Sequence, residues 1–215
     1  MDIKAFKGFS DLYPERVPES DSWYYAQGTP CAEAYEVPDY KGEYPGTRLV
    51  FIEYPTGRVH EPIKQEKNVF LSQPVFHQKD QNFGIIRYDF NTERIQVISY
   101  HPESEALATL YEMNFVETDG LENIGLITSP IQLVKYNVYE DTLEFLWPEK
   151  KHIQFEENED LSFQEEDKLY TSKWVENPDY SAEVIIRDAN TTEVLQRGPG
   201  YLIRLPNGMV LNMTL

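Results

Sequence analysis

Carboxylates, histidines, one cysteine and large aromatics are the side chains in this sequence that could carry chemistry. The densest group is Glu156–Asp167 (EENEDLSFQEED), where seven of twelve residues are acidic. Clustered carboxylates suit a hard cation such as calcium, which is held by many oxygens at once. The spacing is not that of an EF-hand loop, because Leu161 stands where the sharp-turn glycine belongs. A solvated acidic loop is therefore expected, with Leu161 and Phe163 pinning part of it to the surface. His60, His77, His101 and His152 are scattered, with neither a His-x-His nor a His-Glu-x-x-His spacing, so no metal site is assigned. His77 and His101 bracket one pair of β-rich runs and are the two best placed to meet.

Cys31 lies in GTPCAEAYE without a lysine, arginine or histidine beside it to stabilise a thiolate, and reads as a small buried hydrophobe. A nucleophile elbow (GxSxG), a Walker loop and a dinucleotide fingerprint (GxGxxG) are all missing. No catalytic residue and no cofactor are assigned, and the sequence leans away from an enzyme. One polar position recurs: Glu53, Asp89 and Asp188 each stand just before a polar turn, and Asn137 holds the matching place. Together they could line a mouth that binds a cation or sugar hydroxyls, or each could cap its own turn by accepting backbone N–H bonds. Aromatics add a carbohydrate reading, since the C–H faces of sugars stack on tryptophan and tyrosine. Trp23, Tyr24, Tyr25, Trp147 and Trp174 are the candidates, and core packing competes for each of them. The ligand-binding set drawn from these positions is Trp23, Tyr25, Glu53, His77, Asp89, His101, Trp174 and Asp188.

Composition narrows the partners. The 215 residues include 37 acidic and 19 basic ones, a net charge of −18. Such a surface repels phosphate backbones and anionic lipid, so neither nucleic acid nor membrane is an expected partner. It suits a protein partner, a cation or a neutral polar ligand, carbohydrate among them. No window approaches the apolar length of a membrane helix, and the first residues lack the apolar run of a secretory signal. A cytoplasmic setting is expected. Fifteen tyrosines and eleven phenylalanines supply enough apolar area for a substantial core.

The elements that must position these groups come from a motif that returns four times, a β-rich run, a short polar turn and a second β-rich run. The copies are Arg48–Ile63, Gly84–Tyr100, Ile131–Pro148 and Ala182–Gly198. Their period of two, rich in β-branched and aromatic residues, predicts antiparallel hairpins. Further strands are predicted over Val69–Phe76, Thr109–Val116, Asn123–Thr128, His152–Glu156 and Leu169–Val175, and a last hairpin around Pro206-Asn207-Gly208. Glu103–Tyr111 could hold a helical turn or two, and Glu156–Asp167 is predicted to be a loop between repeats. Residues 1–47 are rich in proline and tyrosine and are predicted to form an arm packed on a single all-β repeat domain, residues 48–215.

Turn markers at Gly57, Glu93, Asp141 and Thr191 give steps of 36, 48 and 50 residues. In this the body resembles the β-propeller repeat proteins, whose blades are four-stranded antiparallel sheets. The resemblance covers residues 48–215 and is architectural: the Trp-Asp and Gly-His marks of WD40 repeats and the Gly-Gly doublet of kelch repeats are absent. It implies an all-β, small four- or five-bladed propeller, with a β-sandwich or barrel as the alternative. The last hairpin is expected to close the ring on early residues. The function expected first is a non-enzymatic binding or scaffold module that presents loops to a partner. The alternative is a carbohydrate-binding or carbohydrate-processing protein with its site at the propeller mouth.

Overall fold

Alternating β-branched and aromatic residues set the strands, and the turn formers between them set where each strand reverses. A computed structural model, which describes residues 8–9, 12–176 and 179–214, shows an all-β chain of antiparallel sheets with two short 3-10 segments, Ala34–Tyr40 and Phe115–Glu117. The chain divides into two compact units, Met1–Glu122 and Asn123–Leu215.

Among its described residues the first unit holds two sheets. In one, β1 (Glu15–Arg16), β2 (Trp23–Gly28), β3 (Arg48–Glu53) and β4 (Val59–His60) follow each other in sequence order. In the other, β5 (Val69–Leu71) and β6 (Val75–His77) both pair with β7 (Asn82–Asp89), followed by β8 (Arg94–His101) and β9 (Ala106–Asn114). The inward rows of both sheets meet in one core that includes Trp23, Leu49, Phe51, Leu71, Phe83, Ile85 and Tyr100. Burying side chains of this size is worth about 1.5–3 kcal/mol each, which is the main force holding the two sheets face to face.

The second unit repeats the plan. One sheet orders β10 (Ile124–Ile127), β11 (Gln132–Asn137), β12 (Thr142–Trp147) and β13 (Lys151–Gln154). The next orders β14 (Glu159–Glu165), β15 (Lys168–Val175), β16 (Ser181–Asp188) and β17 (Val194–Pro199). Val134, Leu143, Phe145, Ile153, Phe155 and Leu169 form their shared core. A hairpin of β18 (Tyr201–Arg204) and β19 (Val210–Met213) packs on β15 and β16.

The four hairpins read from the sequence are present, and each closes on a residue in the left-handed region: Gly57, Glu93, Asp141 and Thr192. They do not occupy equivalent places. β3–β4 and β16–β17 join the third and fourth strands of their sheets, whereas β7–β8 and β11–β12 join the second and third. This accounts for the uneven steps between the markers. A hairpin pattern shows that two strands pair, not which pair of a four-stranded meander they are.

Other differences have physical causes. Residues 15–28, expected to belong to an arm, form β1 and β2, and β2 pairs along its length with β3 from Trp23↔Glu53 to Gly28↔Arg48. The sheet thus spans residue 47, and the prolines fall in the connections. Near that boundary Gly46 has φ +90°, and a Cβ there would lie 1.9 Å from the Glu66 carbonyl oxygen. Val69–Phe76 is two strands, because Pro74 cannot donate to the ladder. Glu103–Tyr111, rich in helix formers, is instead a turn and most of β9, since pairing with β8 outweighs local propensity. The acidic run Glu156–Asp167 contains β14, in which Glu159 and Phe163 are both buried, on opposite faces because a bulge after Leu161 shifts the register. Among the described residues β18 and β19 pair with each other and not with early strands.

Candidate functional site

The recurrent polar positions cap their own turns. Asp89 Oδ1 accepts the Asn91 N–H at 2.9 Å, and Asp188 Oδ1 accepts those of Asn190 and Thr191, both at 2.8 Å. Asn137 Oδ1 accepts the Tyr139 N–H at 3.1 Å. Glu53, longer by one methylene, takes the Thr56 hydroxyl at 2.7 Å and lies 3.7 Å from Arg58. Bonds from Thr191 and Asn190 hold the Asp188 carboxyl below its usual range. For Asp89, burial alone would raise the carboxyl, and the Asn91 amide with Arg87 Nη1 at 3.1 Å more than offsets it. A side-chain oxygen that replaces a missing backbone acceptor is what lets these polar turns hold their shape.

Trp23 and Tyr25 belong to the core of the first unit. Trp23 is 6% exposed, with its ring edge-on to His60 and Phe83 at 5.4 and 5.3 Å. Tyr25 donates to Glu15 Oε2 at 2.9 Å, and burial first, then that carboxylate, push its hydroxyl up to about 12. His77 and His101 flank β7 at one level: His77 pairs with Asn82, and His101 lies one step beyond the Phe83–Tyr100 pair. Two strand spacings separate them, roughly 10 Å, so they do not touch. His77 is buried and bonded through Nδ1 to Asp80 at 3.1 Å. In the second unit Trp174 is half-buried, its ring stacked on Tyr180 at 5.5 Å and met by Tyr201 at 5.6 Å, with Tyr180 62% exposed.

Two buried polar groups had no signal in the sequence. In the first unit Arg58 Nε donates to His60 Nε2 at 2.9 Å, which leaves the ring proton on Nδ1 to donate to the Tyr100 oxygen at 2.7 Å. Burial, then the Arg58 charge, push the His60 pKa down, and burial raises that of Tyr100. His60 is a fixed neutral link between β4 and β8. In the second unit Glu159, fully buried, accepts Arg187 Nε at 2.8 Å and Nη2 at 2.7 Å, the Thr171 hydroxyl at 2.6 Å and the Glu156 N–H at 2.9 Å. Burial alone would raise its carboxyl, and these bonds together hold it below the ordinary value. Glu156 extends the network to Arg197 and, at 2.8 Å, to Lys173, which bring its carboxyl down to about 2. Forked arginine–carboxylate bonds inside a sheet position strands and do not present a reactive oxygen.

A concavity of 350 Å³ opens beside the first 3-10 segment, lined by Pro30, Cys31, Glu36, Asp39 and Tyr40. Glu36 Oε2 is held by the Ala32 and Glu33 amides at 2.7 and 3.1 Å, and the Tyr40 hydroxyl by the Pro30 carbonyl at 3.0 Å. Cys31 is buried. Among the described residues no three His, Cys, Asp or Glu side chains converge as metal ligands. No described helix is long and apolar enough to cross a membrane.

Comparison with solved structures agrees with the sheet plan. The chain is similar to the β-propeller domain of the Trilobed protease from Pyrococcus furiosus, at 10% identity and a TM-score of 0.50, over 91% of this chain and 60% of that one. It is also similar to an acylaminoacyl peptidase from Pyrococcus horikoshii, at 11% identity and a TM-score of 0.50, over 93% of this chain and 34% of that one. The fold shared with the first of these is the β-propeller. Identities this low establish the fold alone, and the chain spans less than two thirds of either protein's length. No protein-family model and no curated protein matches the sequence. Among the described residues each unit holds two four- or five-stranded antiparallel sheets of the blade type.

Proposed function

We infer that this chain is a non-catalytic binding or scaffold module whose blades present an acidic surface to a basic protein partner. The observation that carries this reading is where the carboxylates go. Asp89, Asp188, Glu156 and Glu159 are engaged in turns and in buried or half-exposed ion pairs, so the acidic side chains best placed for chemistry act as structure. The carboxylates left on the surface belong to a chain of net charge −18, which speeds and orients encounter with a cationic protein. A cytoplasmic setting fits, since the buried Cys31 needs no disulfide partner. The half-open stack of Trp174, Tyr180 and Tyr201 supports a second reading, a carbohydrate platform on the second unit.

Selection from a random peptide library, followed by titration of the synthetic winners, tests the first reading. The expected result is a family of basic peptides that bind saturably at one site, with affinity that falls as salt is raised. Enrichment of neutral or acidic peptides would overturn it. So would failure to enrich any peptide together with a melting shift in an oligosaccharide, which would install the second reading.

A further inference from the structure

β9 is the outer strand of the second blade and, at nine residues, the longest edge strand among the described residues. Its partner on one side is β8, and no described strand pairs along its other side. Over residues 106–110 both faces are also open: Leu107 is 47% and Leu110 40% exposed, and Ala106, Ala108 and Thr109 are exposed as well, while Met113 is buried. Sheet proteins ordinarily blunt such an edge with lysine, proline, short length or a bulge. The outer strands of the three four-stranded sheets follow that rule. β4 has two residues and β13 four, while β17 carries Arg197 and ends at Pro199. β9 holds neither lysine, arginine nor proline, and its bulge at Leu110 still leaves the straight runs 106–109 and 111–114.

Charge says what would fit. From Ile95 to Glu122 there is no lysine or arginine, and there are six carboxylates: Glu103, Glu105, Glu112, Glu117, Asp119 and Glu122. Glu112 is tied sideways to Arg94 and Gln96 on β8, and Glu117 accepts the Asn114 amide at 2.8 Å; Glu103 and Glu105 flank one end of the strand, Glu117 and Asp119 the other. A second copy of this chain is the wrong occupant, because like charges would face each other at −18 per chain. From these observations, and resting on the binding-module reading above, we propose that β9 is a docking strand. An extended basic segment of a partner protein adds to it as a further strand of the second blade. Main-chain bonds supply the affinity, Leu107 and Leu110 supply apolar contacts, and the carboxylates at either end select lysine and arginine.

The probe is a synthetic nonapeptide of alternating valine and lysine, with an otherwise identical peptide N-methylated at alternate residues. The parent is expected to bind, to slow amide exchange within Ala106–Asn114, and to bind about tenfold more tightly than the N-methylated form, which cannot complete the ladder. The double variant Leu107→Lys, Thr109→Lys should weaken binding by about tenfold by restoring an edge guard, with its melting temperature unchanged because both positions are exposed. Val194→Lys, Leu195→Lys on β17 makes the same charge change at another edge and should alter binding by less than about twofold. Equal binding of the N-methylated peptide, or equal weakening by both double variants, would overturn the docking strand and leave only diffuse attraction. If library-selected basic peptides bind but ignore the β9 lysines, the docking strand falls while the module reading stands. If no basic peptide binds, both fall.

Discussion

Replacing Arg187 by methionine removes the guanidinium that forks onto Glu159, two bonds of 2.8 and 2.7 Å, and keeps the apolar stem. Glu159 is fully buried, so the charge left behind cannot turn to water; it keeps the Thr171 hydroxyl and the Glu156 amide as its partners. Breaking a buried ion pair from one side costs about 3–5 kcal/mol, most of it the unpaired charge and not the lost attraction. The double variant Glu159→Gln, Arg187→Met removes both charges and should recover roughly half of that loss or more. Urea unfolding followed by fluorine resonances of labelled tryptophan measures it, since Trp147 and Trp174 report on the second unit and Trp23 on the first. In the single variant the Glu159 carboxyl is raised above its unfolded value. Its penalty is therefore full above that raised value, fades as the pH falls from there toward the unfolded value, and is gone below it. A loss under about 1 kcal/mol for Arg187→Met, or a double variant no more stable than the single, would refute the buried-pair reasoning.

Three further outcomes are expected. The Glu156 carboxyl is held down at about 2 by Arg197 and Lys173, so its contribution is present above the unfolded value of 4.5 and is lost as pH falls from there toward 2; wild-type urea midpoints should drop more steeply across that window than those of Glu156→Gln. Asp89→Ala should cost about 1–2 kcal/mol in chemical denaturation, and Asp89→Asn less, because asparagine keeps an acceptor for the Asn91 amide; equal costs would mean the turn cap is not the source. Gly46→Ala should destabilise the first unit by about 2 kcal/mol or more, since it meets both a positive φ and the Glu66 carbonyl; a melting curve unchanged from wild type would show that the backbone there moves freely.

The parts legible in sequence were those with a local cause. Each hairpin is written in a few consecutive residues, so the pairings of β7–β8, β11–β12, β16–β17 and β18–β19 follow from alternation and turn chemistry. The turn-capping role of Asp89, Asn137 and Asp188 is likewise local, because the bonded amides lie within three residues. Glu156–Asp167 shows the opposite case. Seven carboxylates look like a solvated loop until Arg187, 28 residues from Glu159, arrives from β16 and makes an inward carboxylate affordable. The same holds for His60, whose partner Tyr100 lies 40 residues away.

Sequence alone determined the all-β class, the four hairpins, their closing turns and the acidic balance, since strand alternation, turn formation and net charge depend on residues near one another or merely on their sum. Tertiary structure alone decided which hairpin takes which place in a blade, which carboxylates are buried against arginine, and which strand is left at an open edge. Those are questions of who lies beside whom across tens of residues. Pairing of that kind is settled by the free energy of burying distant side chains together, a quantity that no short stretch of chain carries.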